Sequence, residues 1–200
     1  MRLAVFISGA GTNLQSIIDA VDDGVLDAEI SCVVSSSTKA YGIKRAKEHS
    51  INVLAMDKLL YRIPEFADKK ILEFVQYNNT DYIVMAGYMR KVTSILLDAF
   101  PNKILNIHPA LLPSFKGAHP IEDAWDAGVK ITGVTVHFAN AEYDNGPIIA
   151  QRTVPVLQDD TLDTLEARIH ECEYELYLEV LHLLIKNRIK IIGNRVFVEE

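Results

Sequence analysis

The amino-acid sequence predicts an α/β fold. We expect a Rossmann-like open, mostly parallel twisted sheet with helices on both faces, a long C-terminal helix and a closing hairpin. Short runs rich in Val and Ile, each bounded by polar turns, indicate strands buried on both faces, and amphipathic stretches lie between them. Strands and helices that alternate in this way are typical of a parallel sheet covered on both sides.

The first half of the chain supplies most of the predicted sheet. The strands are expected at residues 2–8, 29–35, 52–55, 81–86 and 103–108, and the helices at 14–21, 41–49, 64–77 and 93–100. After His108 the pattern changes to a loop of about a dozen residues that contains several prolines, and a loop of that length in a compact domain is usually functional.

The second half closes the fold. Residues 131–138 alternate in polarity and predict a strand, and residues 148–156 predict another after the break at Gly146-Pro147. Asp160-Thr161 is a good N-cap for a long helix, along which apolar residues recur every three or four positions. Residues 189–198 then predict a hairpin.

Composition and charge exclude several classes of protein. With 200 residues, 49% of them hydrophobic and 24% charged, the chain suits a single globular domain over 1–200. The sequence has no apolar run long enough to span a membrane, and the net charge of −7 argues against nonspecific binding to nucleic acid or to an anionic membrane. We expect a cytoplasmic protein, because the apolar N-terminal stretch is too short for a signal peptide, and we expect Cys32 and Cys172 to be reduced core thiols.

A glycine-rich turn follows the first strand and opens the first helix, at Gly9-Ala10-Gly11-Thr12-Asn13. Backbone N–H groups in such a turn favour an anion, and Thr12 and Asn13 add donors suited to one phosphate monoester. The same pattern also fits an ordinary tight turn with Asn13 as the N-cap. It does not fit a dinucleotide site, which would need glycine at Leu14 and an acidic residue at the end of the second strand.

Asn106-Ile107-His108-Pro109 ends the fifth strand, at the edge where ligands of open α/β sheets bind. Alternation places Asn106 and His108 on the same side of that strand, where an amide and an imidazole could hold a carbonyl oxygen that becomes negative during attack. The alternative is a strand-end histidine whose hydrogen bonds go to backbone groups.

Asp144 lies in a predicted turn, and its carboxylate could fix the tautomer of His108 and relay a proton through water. As an isolated observation, an aspartate in an Asp-x-Gly segment is more often an ordinary turn residue. A metal site would draw on His108, His119, His137 and Asp144, but their spacing lacks a compact ligand motif, so no metal is expected.

Taken together, these segments resemble the glycinamide ribonucleotide formyltransferases of the folate-dependent formyltransferase family. The resemblance rests on the glycine-rich turn, the Asn-Ile-His-Pro segment and the Asp-x-Gly segment, and it extends over nearly the whole chain. The matching segments are residues 9–15, 86–90, 106–113, 133–138 and 144–151.

The resemblance implies that 10-formyltetrahydrofolate, as co-substrate, donates its formyl group to the amine of 5-phosphoribosylglycinamide in de novo purine biosynthesis. It implies catalytic roles for Asn106, His108 and Asp144, with Thr135 and His137 supporting them. It also implies small-molecule partners and no metal, nicotinamide, nucleic acid or membrane. The protein is expected to be a monomer or a homodimer.

The resemblance also implies the binding residues. Gly11, Thr12 and Asn13 would bind the ribonucleotide phosphate, and Glu173 would contact the ribonucleotide unless it is an ordinary solvated glutamate. The folate-binding residues would be Arg62, Met89, Arg90, Lys91, Val92 and Asn106. Residues of about 1–100 would then form a phosphate-binding half, and those of about 101–200 a catalytic and folate-binding half.

Four alternatives remain open. A formyl-folate hydrolase is expected to carry an additional N-terminal domain, and a methionyl-tRNA formyltransferase is expected to carry a C-terminal RNA-binding domain and a basic surface. An inactive ligand-binding relative would keep the scaffold without the chemistry, although the sequence retains Asn106, His108 and Asp144. A nicotinamide-dependent enzyme would show tight NAD binding.

Overall fold

The computed structural model describes residues 1–199 and divides into two compact units, Met1–Leu105 and Asn106–Glu200. In the first unit, strands and helices alternate as the sequence predicts. Its elements are β1 (Arg2–Ile7), α1 (Thr12–Asp22), β2 (Glu29–Ser35), α2 (Gly42–Glu48), β3 (Val53–Ala55), α3 (Pro64–Tyr77), β4 (Tyr82–Met85) and α4 (Ser94–Ala99), with a 3-10 turn at Lys58–Arg62.

The boundary between the units falls inside the next strand, β5 (Ile104–His108). The second unit continues with α5 (Pro120–Asp126), β6 (Ile131–Phe138), β7 (Ile148–Pro155), α6 (Leu162–Ile185), β8 (Ile189–Ile192) and β9 (Arg195–Val198).

A seven-stranded sheet has the order β3-β2-β1-β4-β5-β6-β7, and β8 and β9 form a separate antiparallel hairpin. β1 pairs in parallel with both β2 and β4, whereas β6 and β7 are antiparallel. The predicted fold class is therefore confirmed: a mostly parallel sheet with helices, a long C-terminal helix and a closing hairpin.

Burial explains why the first strands lack polar alternation. Every residue of β1 after Arg2 is buried, as a strand covered on both faces requires. In β7, by contrast, only Ile149 and Val154 are buried, and exposed residues lie between them. The long helix α6 begins where the sequence predicts, because the Thr161 hydroxyl accepts the Thr164 N–H in a capping box.

Two short elements were not predicted from the sequence. α5 begins with Pro120 at its first position, and the 3-10 turn at Lys58–Arg62 is capped by Asp57, whose carboxylate accepts the Leu59 N–H. α5 directly follows the proline-containing loop, and the 3-10 turn directly precedes Ile63-Pro64, so the sequence around each element is typical of a loop.

Cys32 and Cys172 are free and buried, in agreement with the prediction of reduced core thiols. Among residues 1–199, no helix combines the length and the apolar character that crossing a membrane requires.

Candidate active site

The glycine-rich turn opens α1 through Gly11 rather than through Asn13. Gly11 is the N-cap residue and has a left-handed backbone with φ of 71°, a conformation that glycine adopts without steric cost. No side chain caps this helix, and its first turn carries no acidic residue. The alternative in which Asn13 is the N-cap was therefore wrong: Asn13 lies two residues beyond the N-cap, inside the helix, and is buried.

Ser8, just before this turn, connects three loops of the first unit. Its hydroxyl accepts the Met89 N–H at 2.8 Å and lies 2.6 Å from the Ser36 hydroxyl. The backbone of the predicted folate-binding segment is thus tied to the start of the glycine-rich turn. No local pattern indicates this role of Ser8, because its partners lie 28 and 81 positions away.

The predicted folate-binding segment, residues 89–92, combines exposed and buried side chains. Met89 is 61% exposed, Arg90 and Lys91 are exposed, and Val92 is buried. The Arg90 guanidinium lies 4.7 Å from the centre of the Tyr61 ring, which orients its charge; within residues 1–199 no carboxylate forms an ion pair with it. Arg62 is exposed at the end of the 3-10 turn.

Two side-chain contacts hold the residues on either side of this segment, Tyr88 and Thr93. The Tyr61 and Tyr88 hydroxyls are 2.8 Å apart, and the Asp68 carboxylate accepts the Thr93 N–H at 2.6 Å. Burial raises the pKa of the Asp68 carboxyl, although the hydrogen bonds from Thr93 oppose the shift. The segment therefore has fixed anchors at both ends, Ser8 at Met89 and Asp68 at Thr93.

In the second unit, Asn106 is oriented by a buried histidine. His137 Nδ1 lies 2.9 Å from the Phe138 carbonyl, so this nitrogen donates and Nε2 is left as an acceptor. The Asn106 amide nitrogen lies 3.1 Å from that Nε2 and donates to it. This bond directs the NH2 end of Asn106 toward His137 and leaves the second amide hydrogen to another acceptor.

His108 is held by a backbone carbonyl. Its Nε2 lies 2.8 Å from the carbonyl oxygen of Phe115, so Nε2–H donates and Nδ1 faces the Asp144 carboxylate at 3.6 Å. Phe115 itself has a left-handed backbone with φ of 52°. The 3.6 Å separation exceeds a hydrogen bond, so a proton on Nδ1 can be donated to a third group beside the carboxylate.

Asp144 is a buried carboxylate, not a solvated turn residue. It is 7% exposed, has a left-handed backbone with φ of 47°, and accepts the Gly117 N–H at 3.1 Å. Its other oxygen lies 3.9 Å from His137 Nε2. A strained backbone at a buried charge indicates a position fixed by its surroundings.

The loop around Asp144 is fixed by close packing and by a lysine. A Cβ on Gly146 would lie 1.7 Å from the Phe138 carbonyl oxygen, so the loop needs glycine there. The Lys116 ammonium donates to the Asn145 side chain at 2.7 Å and joins the loop after His108 to the loop that carries Asp144.

Thr135, predicted as a supporting residue, is completely buried and fixes the backbone after His108. Its hydroxyl donates to the Ala110 carbonyl at 2.7 Å and accepts the Leu112 N–H at 3.0 Å. The Gln151 amide donates to both the Thr135 hydroxyl and the Leu112 carbonyl at 2.9 Å. The resemblance covered Gln151 without giving it this role.

Glu173 is 4% exposed, so the alternative of an ordinary solvated glutamate was wrong. His170 Nδ1 lies 2.7 Å from its carboxylate, and His170 Nε2 lies 3.4 Å from Glu166. The hydrogen bond that His170 donates to Glu173 raises the pKa of His170; burial opposes this shift, and the charges of Glu173 and Glu166 add to it. A buried carboxylate oxygen beside this imidazole can also accept a hydrogen bond from a ligand.

The structure thus brings Asn106, His108 and Asp144 together. Asp144 lies 3.6 Å from His108, and His137 lies between Asn106 and Asp144, at 3.1 Å and 3.9 Å. In the first unit it places Gly11, Thr12 and Asn13 at the start of α1. Within residues 1–199, no group of three or more His, Cys, Asp or Glu side chains is arranged to hold a metal ion.

We expect His137 to make folding sensitive to acid. Burial lowers the pKa of His137, and the hydrogen bond to Phe138 and the charge of Asp144 offset this only in part. The unfolded state therefore takes up the proton first, so the stability due to neutral His137 is complete above pH about 6.5 and is lost as pH falls below it. The free energy of unfolding of the wild type, minus that of His137→Gln, should decrease on acidification in urea titrations.

His119→Gln is the matched control, because the His119 side chain is 75% exposed. It should leave the pH dependence of stability unchanged. A wild-type advantage over His137→Gln that stays constant or grows toward low pH would contradict a buried neutral His137.

Comparison with known proteins matches this chain to formyltransferases over most of its length. The family model described as formyl transferase matches residues 1–181. The phosphoribosylglycinamide formyltransferase of Haemophilus influenzae is 39% identical over 198 residues, which cover 99% of this chain and 93% of that protein.

Two solved structures extend the comparison. The glycinamide ribonucleotide transformylase 1 of Symbiobacterium toebii matches with a TM-score of 0.96 and 42% identity, covering 100% of this chain and 94% of that one. A formyltetrahydrofolate deformylase from Pseudomonas syringae matches with a TM-score of 0.92 and 26% identity, covering 100% of this chain and 66% of that one.

Proposed function

The chain belongs to the formyl transferase family, and from that premise we propose that it transfers the formyl group of 10-formyltetrahydrofolate to the amine of 5-phosphoribosylglycinamide, in purine biosynthesis. The observation that carries the proposal is the geometry of one amide, one imidazole and one carboxylate. All three lie within the second unit, and His137 adjoins both Asn106 and Asp144.

The reaction begins with attack of the substrate amine on the formyl carbon, which creates a tetrahedral intermediate with a negative oxygen. The free amide hydrogen of Asn106 and the Nδ1–H of a protonated His108 are the donors for that oxygen. Because both donors are held by other groups before substrate arrives, little reorganisation is needed. Each such contact can be worth about 3–4 kcal/mol in the transition state.

Asp144 has two parts in this scheme. Its negative charge, 3.6 Å from His108 Nδ1, stabilises the proton that this atom holds while the oxyanion exists. It also accepts the proton that the attacking amine loses, through a water molecule, and returns a proton to the departing folate nitrogen. The bond from carbon to the folate nitrogen breaks as the amide product forms, so no covalent enzyme intermediate is required.

The first unit supplies the groups for substrate binding at the glycine-rich turn. Gly11, Thr12 and Asn13 stand at the start of α1, where backbone N–H groups and the helix dipole favour the phosphate of the ribonucleotide. In the second unit, the buried Glu173 carboxylate is assigned to ribonucleotide hydroxyl or amine groups, which are hydrogen-bond donors.

The folate is assigned to the fixed segment at residues 89–92 and to Asn106. Backbone groups of this segment, including those of the buried Val92, suit the hydrogen-bonding edge of a pterin ring, and Met89 offers exposed apolar surface. Arg90, Lys91 and Arg62 are the cations for the folate carboxylates. These assignments make residues of about 1–100 the phosphate-binding half, and residues of about 101–200 the half that carries catalysis and contributes Asn106 to the folate.

Hydrolysis of the formyl-folate is the second candidate, since the chain also resembles a deformylase. An assay of tetrahydrofolate release separates the two reactions. Transfer predicts release that depends on the ribonucleotide and equals the formylglycinamide ribonucleotide formed, with a lower rate for His108→Ala. Tetrahydrofolate release at the same rate without the ribonucleotide would establish hydrolysis. The absence of both transfer and hydrolysis would favour an inactive relative.

A further inference from the structure

The glycine-rich turn is held from one side by the first turn of α2, a helix that the proposed function does not use. The Gly42 N–H donates to the Gly9 carbonyl at 3.1 Å. One helical turn later, Arg45 Nε donates to the Ala10 carbonyl at 3.0 Å. Two consecutive carbonyls of the turn are therefore taken by the same helix.

These two hydrogen bonds also fix the direction of the neighbouring N–H groups. In a trans peptide the C=O and the N–H point in opposite directions. A Gly9 carbonyl directed at α2 aims the Ala10 N–H away from it, and the Ala10 carbonyl does the same for the Gly11 N–H. Within residues 1–199 no acceptor takes either N–H, so both remain available to a ligand.

Contact between the two backbones explains why residue 42 is glycine. A Cβ on Gly42 would lie 2.5 Å from the Ile7 side chain and 3.2 Å from the Gly11 Cα. A Cβ on Gly11 would lie 2.7 Å from the Gly42 Cα. Any side chain at Gly42 would therefore push the turn away from α2.

Arg45 is itself held in place. Its guanidinium lies 5.0 Å from the centre of the Tyr41 ring and donates through Nη1 to the Gln15 side chain at 3.1 Å. No carboxylate among the described residues forms an ion pair with Arg45, so its positive charge stays uncompensated beside the turn.

We infer that Gly42 and Arg45 are positioning residues, which preset the glycine-rich turn so that the Ala10 and Gly11 N–H groups face the substrate phosphate. The inference rests on the proposed function for the identity of the anion. It goes beyond that function because α2 then sets the direction of the phosphate-binding N–H groups, through its hydrogen bonds to the Gly9 and Ala10 carbonyls. Neither Gly42 nor Arg45 needs to touch the phosphate.

Arg45→Ala tests the inference in the full-length protein. Binding of inorganic phosphate is followed by ³¹P NMR titration, and steady-state kinetics are measured for both substrates. We expect about a 10-fold loss of phosphate affinity and a matching rise in KM for the ribonucleotide, the effect of losing a charge-assisted hydrogen bond. The kcat at saturation and the KM for the formyl donor should stay within about twofold, because α2 acts only on the glycine-rich turn.

Lys44→Ala is the matched control. Lys44 also lies over the Tyr41 ring and pairs with Glu48 on the same helix, but among the hydrogen bonds of the described residues none joins Lys44 to the turn. Lys44→Ala removes one positive charge from α2, as Arg45→Ala does. If the hydrogen bond from Arg45 to the turn sets the phosphate affinity, rather than the charge of α2, Lys44→Ala should keep that affinity within about twofold of the wild type. Gly42→Ala should lose phosphate affinity as Arg45→Ala does, with thermal melting confirming that the protein is folded.

Three results would overturn the inference. They are a loss of phosphate affinity below about threefold in Arg45→Ala, an equal loss of phosphate affinity in Lys44→Ala, or a wild type that binds no phosphate. A wild type that binds phosphate but transfers no formyl group would refute the proposed function alone. The phosphate titrations would then still decide the role of Gly42 and Arg45.

Discussion

Asp144→Asn should lower kcat by about 10²–10⁴-fold, the range for loss of a positioned acid–base group. Asparagine is nearly isosteric and tolerates the left-handed backbone of Asp144, so the loop should keep its shape. An amide cannot accept the proton from the attacking amine, and it removes the negative charge 3.6 Å from His108 Nδ1. The measurement is kcat in steady state with both substrates saturating, supported by a single-turnover experiment that isolates the chemical step.

Glu142→Gln provides the matched control for this prediction. Glu142 is an exposed carboxylate in the same loop and bonds to the Asn145 side chain rather than to a histidine. Its removal changes the local charge by the same amount, so kcat should fall by no more than about threefold. If Asp144→Asn kept more than about a tenth of the wild-type kcat, Asp144 would have no part in proton transfer.

Asn106→Ala should lower kcat by about 10²–10³-fold, the usual effect of removing one oxyanion donor. The loss should appear in kcat and in kcat/KM alike, because the amide hydrogen acts on an oxygen that is negative only in the transition state. His137 should remain neutral and buried, since its bond to the Phe138 carbonyl does not depend on Asn106. Rapid-quench measurement of formyl transfer tests this directly.

Asn140→Ala removes an amide from the same unit. Among the described residues, this amide bonds to loop groups, donating to the Asn145 carbonyl and accepting the Glu142 N–H. It should leave the rate of the chemical step within about threefold of the wild type. A rise in KM for the formyl donor with unchanged kcat in Asn106→Ala would instead assign Asn106 to binding alone.

The elements that the sequence predicted best are those whose pattern is local. Strands buried on both faces, the N-cap at Thr161 and the periodic stripe of α6 each depend on residues within a few positions of one another. α5 and the 3-10 turn were missed because each adjoins prolines, and the sequence around them is typical of a loop.

The sequence could predict which residues are the candidate catalytic ones, but not the hydrogen bonds that orient their side chains. Spacing indicated that Asn106 and His108 share a face of one strand, and the resemblance assigned Asp144 to join them. Spacing could not show that the Phe115 carbonyl fixes the His108 ring, or that His137 accepts from Asn106. Both contacts depend on how separate loops and strands meet in space.

The sequence by itself determined the order of the strands and of every α-helix except α5, the residue types available for chemistry and the glycine-rich turn at the start of α1. These features depend on short-range pattern and backbone preference. The tertiary structure alone decided which nitrogen of each histidine donates, that Asp144 and Glu173 are buried, and that α2 holds the carbonyls of the turn. The physical reason is distance along the chain: hydrogen bonds between residues tens of positions apart exist only after packing has fixed the backbones that carry them.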